Sequence, residues 1–583
     1  MLKLLEDALC APDVEAPWVE GENPIARLGA IGDGRTVALV RDDTSIPYLC
    51  WPLLDSPPVL DAILSGDAWC HAVFTLDGVI VGGRQRYLDG TNVLQTVLER
   101  NGARVVVTDA MPLADTQRLW RRVVCEQGTV RLGFHLGHRS CEAFGASASF
   151  ALERTGHGLR GDVALKEGDA AWVAFHHPDK TPSVPFDPSP SIERTSLLWR
   201  ERIAALRYEG PRRALVERSI LAMWLCERVA TGGLAAAATF AFPEAPGGER
   251  NWDYRYAWVR DTALAARAAA RAGLTEDAMR WLRFVVMEND DCERSPIRLM
   301  QTLDAGPVPD ERTLRGYRGL MEARPVQVGN GAESQLQLDI FGEIMLALRT
   351  LGECGVAVEA DMLAKVRSLL GWLKVHWNDP DSSIWELRGG EKRYLFSALM
   401  AWIAFRDATH VFETNGETPD PAWSGYADKI AVTIRRDYWC PKQESYMQTS
   451  ECSVVDAAVV MMRLCGFLEG DDPRWHASKR AIRRDLLRPD PDPHGLLRYP
   501  HHAADGFTSD EGTFMLCTGW WVQALWLDSE RDEARATFEA MIARLGPTGL
   551  ASEEIGENGE LWGNVPQMFS HAAIVDCVLT LYG

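Results

Sequence analysis

Apolar residues recur along this chain with two different periods. Up to about residue 185 they come in short β-branched runs, "TVALV", "NVLQTVLE", "ARVVVTDAM", "TVRLGFHL" and "AAWVAFHH", which read as strands. Asn101-Gly102 between two of these runs is a hairpin turn signal. Residues 1–185 are therefore expected to form a β-sandwich. The segment "KTPSVPFDPSPS", Lys180 to Ser191, is rich in proline and serine and marks a boundary, and residues 186–208 are read as a linker. Beyond it, apolar positions follow i, i+3 and i+4, one face of a helix. About twelve helices are expected over residues 209–583, beginning near Pro211, Asp261, Thr275, Glu333, Glu359, Tyr394, Pro421, Ser453, Pro473, Glu511, Arg531 and Met568.

The connections between these helices alternate in length. Those from odd to even helices run roughly 30, 44, 15, 14, 23 and 22 residues, whereas those from even to odd run roughly 2, 6, 9, 6 and 3. In an up-and-down arrangement every long connection falls at the same end, where a rigid scaffold carries a site. Twelve helices alternating in this way fit a closed double ring of six inner and six outer helices. An open helical solenoid is the alternative, but no fixed repeat period is present.

Composition narrows the function classes. The 583 residues carry 61 Lys plus Arg against 82 Asp plus Glu, a net charge of -21 that repels phosphate backbones and anionic lipid. Nucleic acid and membrane partners are not expected, and no apolar run approaches the roughly 20 residues that cross a bilayer. Glu6 and Asp7 interrupt the region where a secretory signal would need an apolar core, so a cytoplasmic protein is expected. Thirteen scattered cysteines, odd in number and without a C-x-x-C pair, suit reduced thiols. The doublets His176-His177 and His501-His502 lack metal-site spacing, and no metal is expected. "NDDCE", Asn289 to Glu293, is read as a solvated turn. Twenty-one tryptophans are many, and tryptophan outside a core serves as a platform for ligands with apolar faces, such as sugar rings.

Candidate chemistry sits on the long connections. "SSIWELRGG" places Glu386 directly after Trp385. By residue type alone this is a surface glutamate, but a carboxyl group desolvated against aromatic surface is also what a general acid requires. The last long connection, "GPTGLASEEIGENGELWGNVPQ", carries Glu553 and Glu554. Two carboxyl groups facing one another are the requirement of glycoside hydrolysis. The first long connection, "RNWDYRYAWVRD", sets aromatic faces among Arg and Asp groups able to hold adjacent hydroxyls, or to form an ion-pair network with Asp261 as N-cap.

At these residues the chain resembles glycoside hydrolase family 15, the glucoamylase and trehalase family. The matching segments are "LCWPLLDSPPV", "TNVLQT", "RNWDYRYAWVRD", "RPVQVGN", "QLQLDIFGE", "IWELRGG", "EGTFMLCT", "ASEEI" and "GNVPQMFSH", in order over nearly the whole length. The resemblance implies an all-α (α/α)6 barrel as catalytic domain, preceded by an N-terminal β-sandwich domain. It also implies exo-acting, inverting hydrolysis of a terminal α-glucosidic bond with release of β-glucose, without metal or organic cofactor. By the same matching Glu386 resembles the general acid and Glu553 the general base. Arg260 and Asp261 resemble the pair gripping the terminal glucose, in a pocket lined by Tyr254, Trp258 and Trp385. Arg498 in "LRYP" resembles an arginine that reaches the second sugar, and on residue type alone it would be a solvated loop arginine. Glu554 is read as a residue behind the base or touching sugar, and Arg388 as pointing at substrate or at another acid.

Leu53 and Leu54 stand where the family commonly has arginine and phenylalanine, and Ala398 where it has lysine. Losing two cations is expected to alter the leaving-group subsite or the contact between the two parts. The leading expectation is a glucoamylase-like enzyme acting on short α-glucan oligosaccharides. A trehalase, an enzyme of another α-glucoside, and a catalytically silent sugar-binding protein are the alternatives. The partner is a small carbohydrate, and a homo-oligomer is left open.

Overall fold

Alternation of apolar and polar residues builds the strands of the first part. In Thr129–Gly137 the side chains of Val130, Leu132, Phe134 and Leu136 are buried while Thr129 and Arg131 face out, the two-residue period of a half-buried strand. The computed structural model describes residues 24–113, 117–138, 144–156, 158–177, 187–289, 292–451, 454–488, 495–501 and 506–583. Asn101 and Gly102, with φ of 50° and 80°, turn Leu94–Arg100 back on Ala103–Ala110, as the turn signal predicts. A six-stranded antiparallel sheet runs in the order Gly145–Ala148, Ala170–His176, Arg118–Gln127, Ala103–Ala110, Leu94–Arg100 and Arg84–Tyr87. A four-stranded sheet has the order Glu153–Arg154, Gly158–Lys166, Thr129–Gly137 and Ala72–Leu76, and another joins Leu28–Gly32, Val37–Arg41, Tyr48–Cys50 and Pro58–Leu60. Val40, Phe74, Val107, Phe134 and Phe175, drawn from all three sheets, lie in one buried cluster.

Within the stretch read as a linker, Ser189–Ile203 is a helix (α1). Its Trp199 is buried and stacks on Trp224, ring centroids 6.3 Å apart. Among the described residues twelve helices follow: α2 (Arg213–Leu225), α3 (Val259–Arg271), α4 (Thr275–Met287), α5 (Asp339–Glu353), α6 (Ala360–His376), α7 (Leu395–Thr414), α8 (Ala422–Asp437), α9 (Val459–Leu464), α10 (Pro473–Asp485), α11 (Met515–Leu527), α12 (Arg531–Ile542) and α13 (Met568–Tyr582). Each lies close to an expected start. The widest offsets are at α5 and α9, which begin later than Glu333 and Ser453, and Ser453 itself lies outside the described residues.

Helix α3 packs on α5, α5 on α7, α7 on α9, α9 on α11, α11 on α13, and α13 returns to α3. The even-numbered helices lean on these from outside, α2 on α13, α4 on α3, α6 on α5, α8 on α7, α10 on α9 and α12 on α11. The sequences follow from that placement. Helix α11, "MLCTGWWVQALWL", is apolar almost all round, whereas α10, "PRWHASKRAIRRD", keeps one apolar stripe on Trp475, Ala481 and Ile482. Every long connection leads into the N-terminus of an odd-numbered helix from α3 to α13, so these connections share one end of the assembly.

The two parts meet beneath the first long connection. Arg255 is clamped by Asp253 at 2.7 and 2.8 Å and donates to the carbonyls of Leu54 at 3.2 Å and Ser56 at 2.9 Å. Both charged side chains are fully buried. Replacing Arg255 with methionine leaves Asp253 as a buried charge without its partner, and is expected to cost about 3–5 kcal/mol of stability, read from urea unfolding. Asn289 of the expected solvated turn is instead buried, its side chain bonded to the backbone of Arg298 at 3.0 Å. Asp290 and Asp291 lie outside the described residues. Among the described residues no helix is long and apolar enough to cross a membrane.

Candidate active site

The connections entering α3, α5, α7, α11 and α13 converge on one cavity. Glu386 stands on the connection before α7. That loop is tied down at its base: Asp381 accepts from the Leu338 amide at 2.9 Å and the Ser397 hydroxyl at 2.6 Å. Burial lifts the Asp381 carboxyl to about 7. At its tip Ser383 and Glu386 take left-handed φ of 65° and 55°, a strain of order 1–3 kcal/mol that presents Glu386 to the cavity. Its Oε1 accepts from the Trp258 indole at 2.7 Å and from Arg260 Nη2 at 3.2 Å. Its Oε2 has no partner among the described residues. The tryptophan that touches the carboxyl is thus Trp258, through its N–H, and not the neighbouring Trp385.

Arg260 is a hub. It also donates to Gln337 Oε1 at 3.1 Å and to the Ile384 carbonyl at 2.9 Å, and it faces Asp261 Oδ2 at 3.4 Å. Asp261 lies in the first turn of α3, whose N-cap is Trp258, so the expected N-cap role is not the one it has. Burial raises the Asp261 carboxyl to about 6, and its Oδ2 has no hydrogen bond. Trp385 is held by its indole N–H on Asp456 at 2.9 Å.

Glu553 enters the same cavity from the connection before α13. Its Oε1 accepts from the Tyr254 hydroxyl at 3.2 Å, and its Oε2 is buried without a partner. Burial, and next the nearby Glu244, push the Glu553 carboxyl well above the usual range, while Arg498 pulls the other way. Room for it comes from Gly563, where a Cβ would stand 2.8 Å from that of Glu553. The rings of Tyr254 and Trp258 meet edge to face at 5.7 Å, so Glu553–Tyr254–Trp258–Glu386 form one continuous wall.

Of the residues singled out in the sequence, Tyr254, Trp258, Arg260, Asp261, Trp385, Glu386, Arg388, Arg498 and Glu553 all line this cavity, and Glu554 does not. Glu554 opens the short strand Glu554–Ile555 and accepts from the Gly512 amide at 2.7 Å, behind the cavity wall, with a carboxylate oxygen within 4.8 Å of those of Glu553 and Glu244. Arg388 points at another acid, Glu311, at 2.7 and 3.1 Å, with its guanidinium over the Trp252 ring. Arg498 is not solvated. It is buried and clamped by both oxygens of Glu511 at 2.6 and 2.5 Å. Leu53, Leu54 and Ala398 do not line the cavity. Leu54 is buried under Arg255 at the junction of the two parts, and Ala398 is buried in α7.

Sequence reading missed Glu244, Glu511 and Arg250, which surround Arg498 and Glu553. Arg250 pairs with Glu511 at 3.0 Å, and Glu244 lies 3.5 Å from Arg498. The one available signal was Glu244 itself, a lone acid in the apolar stretch "LAAAATFAFPEAP".

Two carboxyl groups on one cavity, set among aromatic faces and guanidinium groups, are the furniture of a hydrolase of glycosidic bonds. Residues 210–579 match the family Glycosyl hydrolases family 15, and residues 14–163 match the family Trehalase-like, N-terminal. The chain belongs to glycosyl hydrolases family 15; it is a glycoside hydrolase, and its substrate is a carbohydrate. It is 31% identical to a trehalase of Mycobacterium tuberculosis over 95% of this chain and 89% of that one. It is 29% identical to a trehalase of Thermoplasma volcanium over 96% and 93% of the two chains. A bacterial glucoamylase complexed with acarbose shares the fold, with a TM-score of 0.72 at 12% identity over 97% of this chain and 95% of that one.

Proposed function

We propose that this protein is a trehalase, an inverting hydrolase that splits α,α-trehalose into two glucose molecules. The observation that carries the reading is that curated relatives similar along almost the entire chain, at 29% and 31% identity, are trehalases. This reverses the order expected from sequence, in which a glucoamylase-like activity came first. The likeness to the glucoamylase, at 12% identity, speaks for the fold alone. In this reading the sheets form a β-sandwich and α2 to α13 an (α/α)6 barrel whose inner ring is α3, α5, α7, α9, α11 and α13.

In this reading the residues divide the work as follows. Arg260 and Asp261, side by side at the floor, grip hydroxyls of the glucose that is cleaved, and Tyr254, Trp258 and Trp385 wall its ring. Glu386, with Oε1 held by Trp258 and Arg260, carries its proton on the unpartnered Oε2 and delivers it to the glycosidic oxygen. Glu553 removes a proton from water, whose oxygen attacks the anomeric carbon from the opposite face. That arrangement requires a carboxyl separation of about 6.5–9.5 Å with the water between. Arg498, lining the same cavity, is the residue that reaches the second sugar in this reading.

Trehalose, maltose, isomaltose and starch assayed side by side test the assignment, with trehalose expected to give the highest kcat/KM. Preference for maltose or starch would return the glucoamylase reading. NMR of the first product of trehalose cleavage should show one β-glucose for each α-glucose released. Two α-glucose molecules would mean retention, and with it a nucleophilic role for one carboxylate.

A further inference from the structure

Glu244 does not line the cavity, yet a carboxylate oxygen of Glu244 lies within 4.8 Å of one of Glu553, and the two share a phenol. The Tyr254 phenol lies 3.1 Å from Glu244 Oε1 and 3.2 Å from Glu553 Oε1. A phenol has one proton to donate. It serves one of these carboxylates; the other contact is a hydrogen bond only if that carboxyl carries a proton and donates it to the phenolic oxygen. With both ionised, lone pairs would oppose each other where Glu244 and Glu553 are each 2% exposed, and a buried polar contact of that kind is costly.

The surrounding charges point the same way. From its own connection Glu553 is faced by Glu554, and from the connection before α11 by Arg498 and by Glu511 behind it. From the connection before α3 it is faced by Glu244 and Tyr254, with Arg250 on Glu511, and from across the cavity by Glu386. Four carboxyl groups, Glu244, Glu511, Glu553 and Glu554, thus share two guanidinium groups, Arg250 and Arg498. Glu511 takes both, at 3.0 Å from Arg250 and 2.5 Å from Arg498, whereas Glu244 has Arg498 only at 3.5 Å.

We infer that Glu244, Tyr254 and Glu553 hold one proton beyond the phenol's own, and that Glu244 is the positioning residue that keeps it while Glu553 accepts the proton of the attacking water. In the resting site the chain runs from the Glu244 carboxyl to the Tyr254 oxygen and from the Tyr254 O–H to the Glu553 carboxylate. When water attacks, its oxygen bonds to the anomeric carbon, one of its protons passes to Glu553, and the Glu386 proton passes to the departing oxygen. After product leaves, the Glu553 proton returns to Glu386 through solvent. The charge of Glu244, were it free, would compete with that of Glu553; protonated, it leaves Glu553 ionised yet strongly basic. This inference rests on Glu553 being the base.

The test is the pH profile of kcat/KM for trehalose in the wild type, Glu244→Ala, Glu244→Gln and Tyr254→Phe. Glu244→Ala removes the donor to the phenol and should lower kcat at neutral pH about tenfold, with KM within about threefold. Glutamine keeps the shape and donates as the protonated acid does, so Glu244→Gln should recover kcat to within about threefold of the wild type and keep the acidic limb within about half a unit. Tyr254→Phe removes a hydrogen bond from the Glu553 carboxylate and should move the acidic limb up. Infrared difference spectra at neutral pH, which do not depend on turnover, should show a protonated-carboxyl band in the wild type that Glu244→Gln lacks. An acidic limb displaced by about one unit or more in folded Glu244→Gln, a kcat no better than that of Glu244→Ala, or an infrared band unchanged by Glu244→Gln, would overturn the shared proton while Glu553→Ala remains inactive. Wild-type activity in Glu553→Ala would instead remove the base on which the inference stands.

Discussion

Glu386→Gln is expected to lower kcat on trehalose by about 10²–10⁴-fold, with KM changed by less than about threefold and the fold intact. The amide preserves the acceptor that Trp258 and Arg260 hold, so positioning survives and only the transferable proton is lost. Because Oε1 is fully engaged, no rotation brings a second acid into its place, and Arg388, committed to Glu311, offers none. A substrate whose leaving group departs without a proton separates chemistry from misfolding: α-glucosyl fluoride should be turned over by Glu386→Gln at close to the wild-type rate. Normal trehalose turnover in this variant would take Glu386 out of the reaction.

Glu553→Ala should cost a similar factor, about 10²–10⁴ in kcat, but with the opposite chemical signature. Removing the carboxyl leaves Glu386 able to protonate the leaving oxygen while the water loses its base. Glucosyl fluoride should therefore fail to restore this variant, whereas azide, an anion that needs no deprotonation, should restore turnover and yield β-glucosyl azide. Alanine also opens a space beside Gly563, which already approaches the Glu553 Cβ closely, so the small nucleophile has room to enter. An α-configured azide product, or rescue by fluoride instead, would exchange the roles of the two carboxyls.

Much of this was legible from residue order, and the limits have physical causes. Helix faces repeat every three to four residues within one segment, so all twelve helices after α1 could be placed, and the alternation of long and short connections picked out the loops that line the cavity. Strand alternation and the Asn101-Gly102 turn are equally local. Glu386, Glu553 and Arg260 were found because their neighbours are distinctive. Glu511 on Arg498, and Glu244 on Tyr254, could not be seen in this way, since such pairs are made by loops that meet only after the helices close, and no spacing encodes them. Helix α1 was read as a linker because its first turn is proline- and serine-rich, although proline is well tolerated there. The N-cap was an alternative for Asp261 because acids favour both the cap and the first turn, and backbone geometry alone tells the two apart. Glu554 was read as behind the base or touching sugar, and its carboxyl stands beside that of Glu553 but off the cavity.

Tyr254 and Glu553, joined by one hydrogen bond, are 299 positions apart, and what brings them together is the docking of α13 against α3. A substitution that loosens that seam, made well away from the cavity, would part the two side chains without altering either.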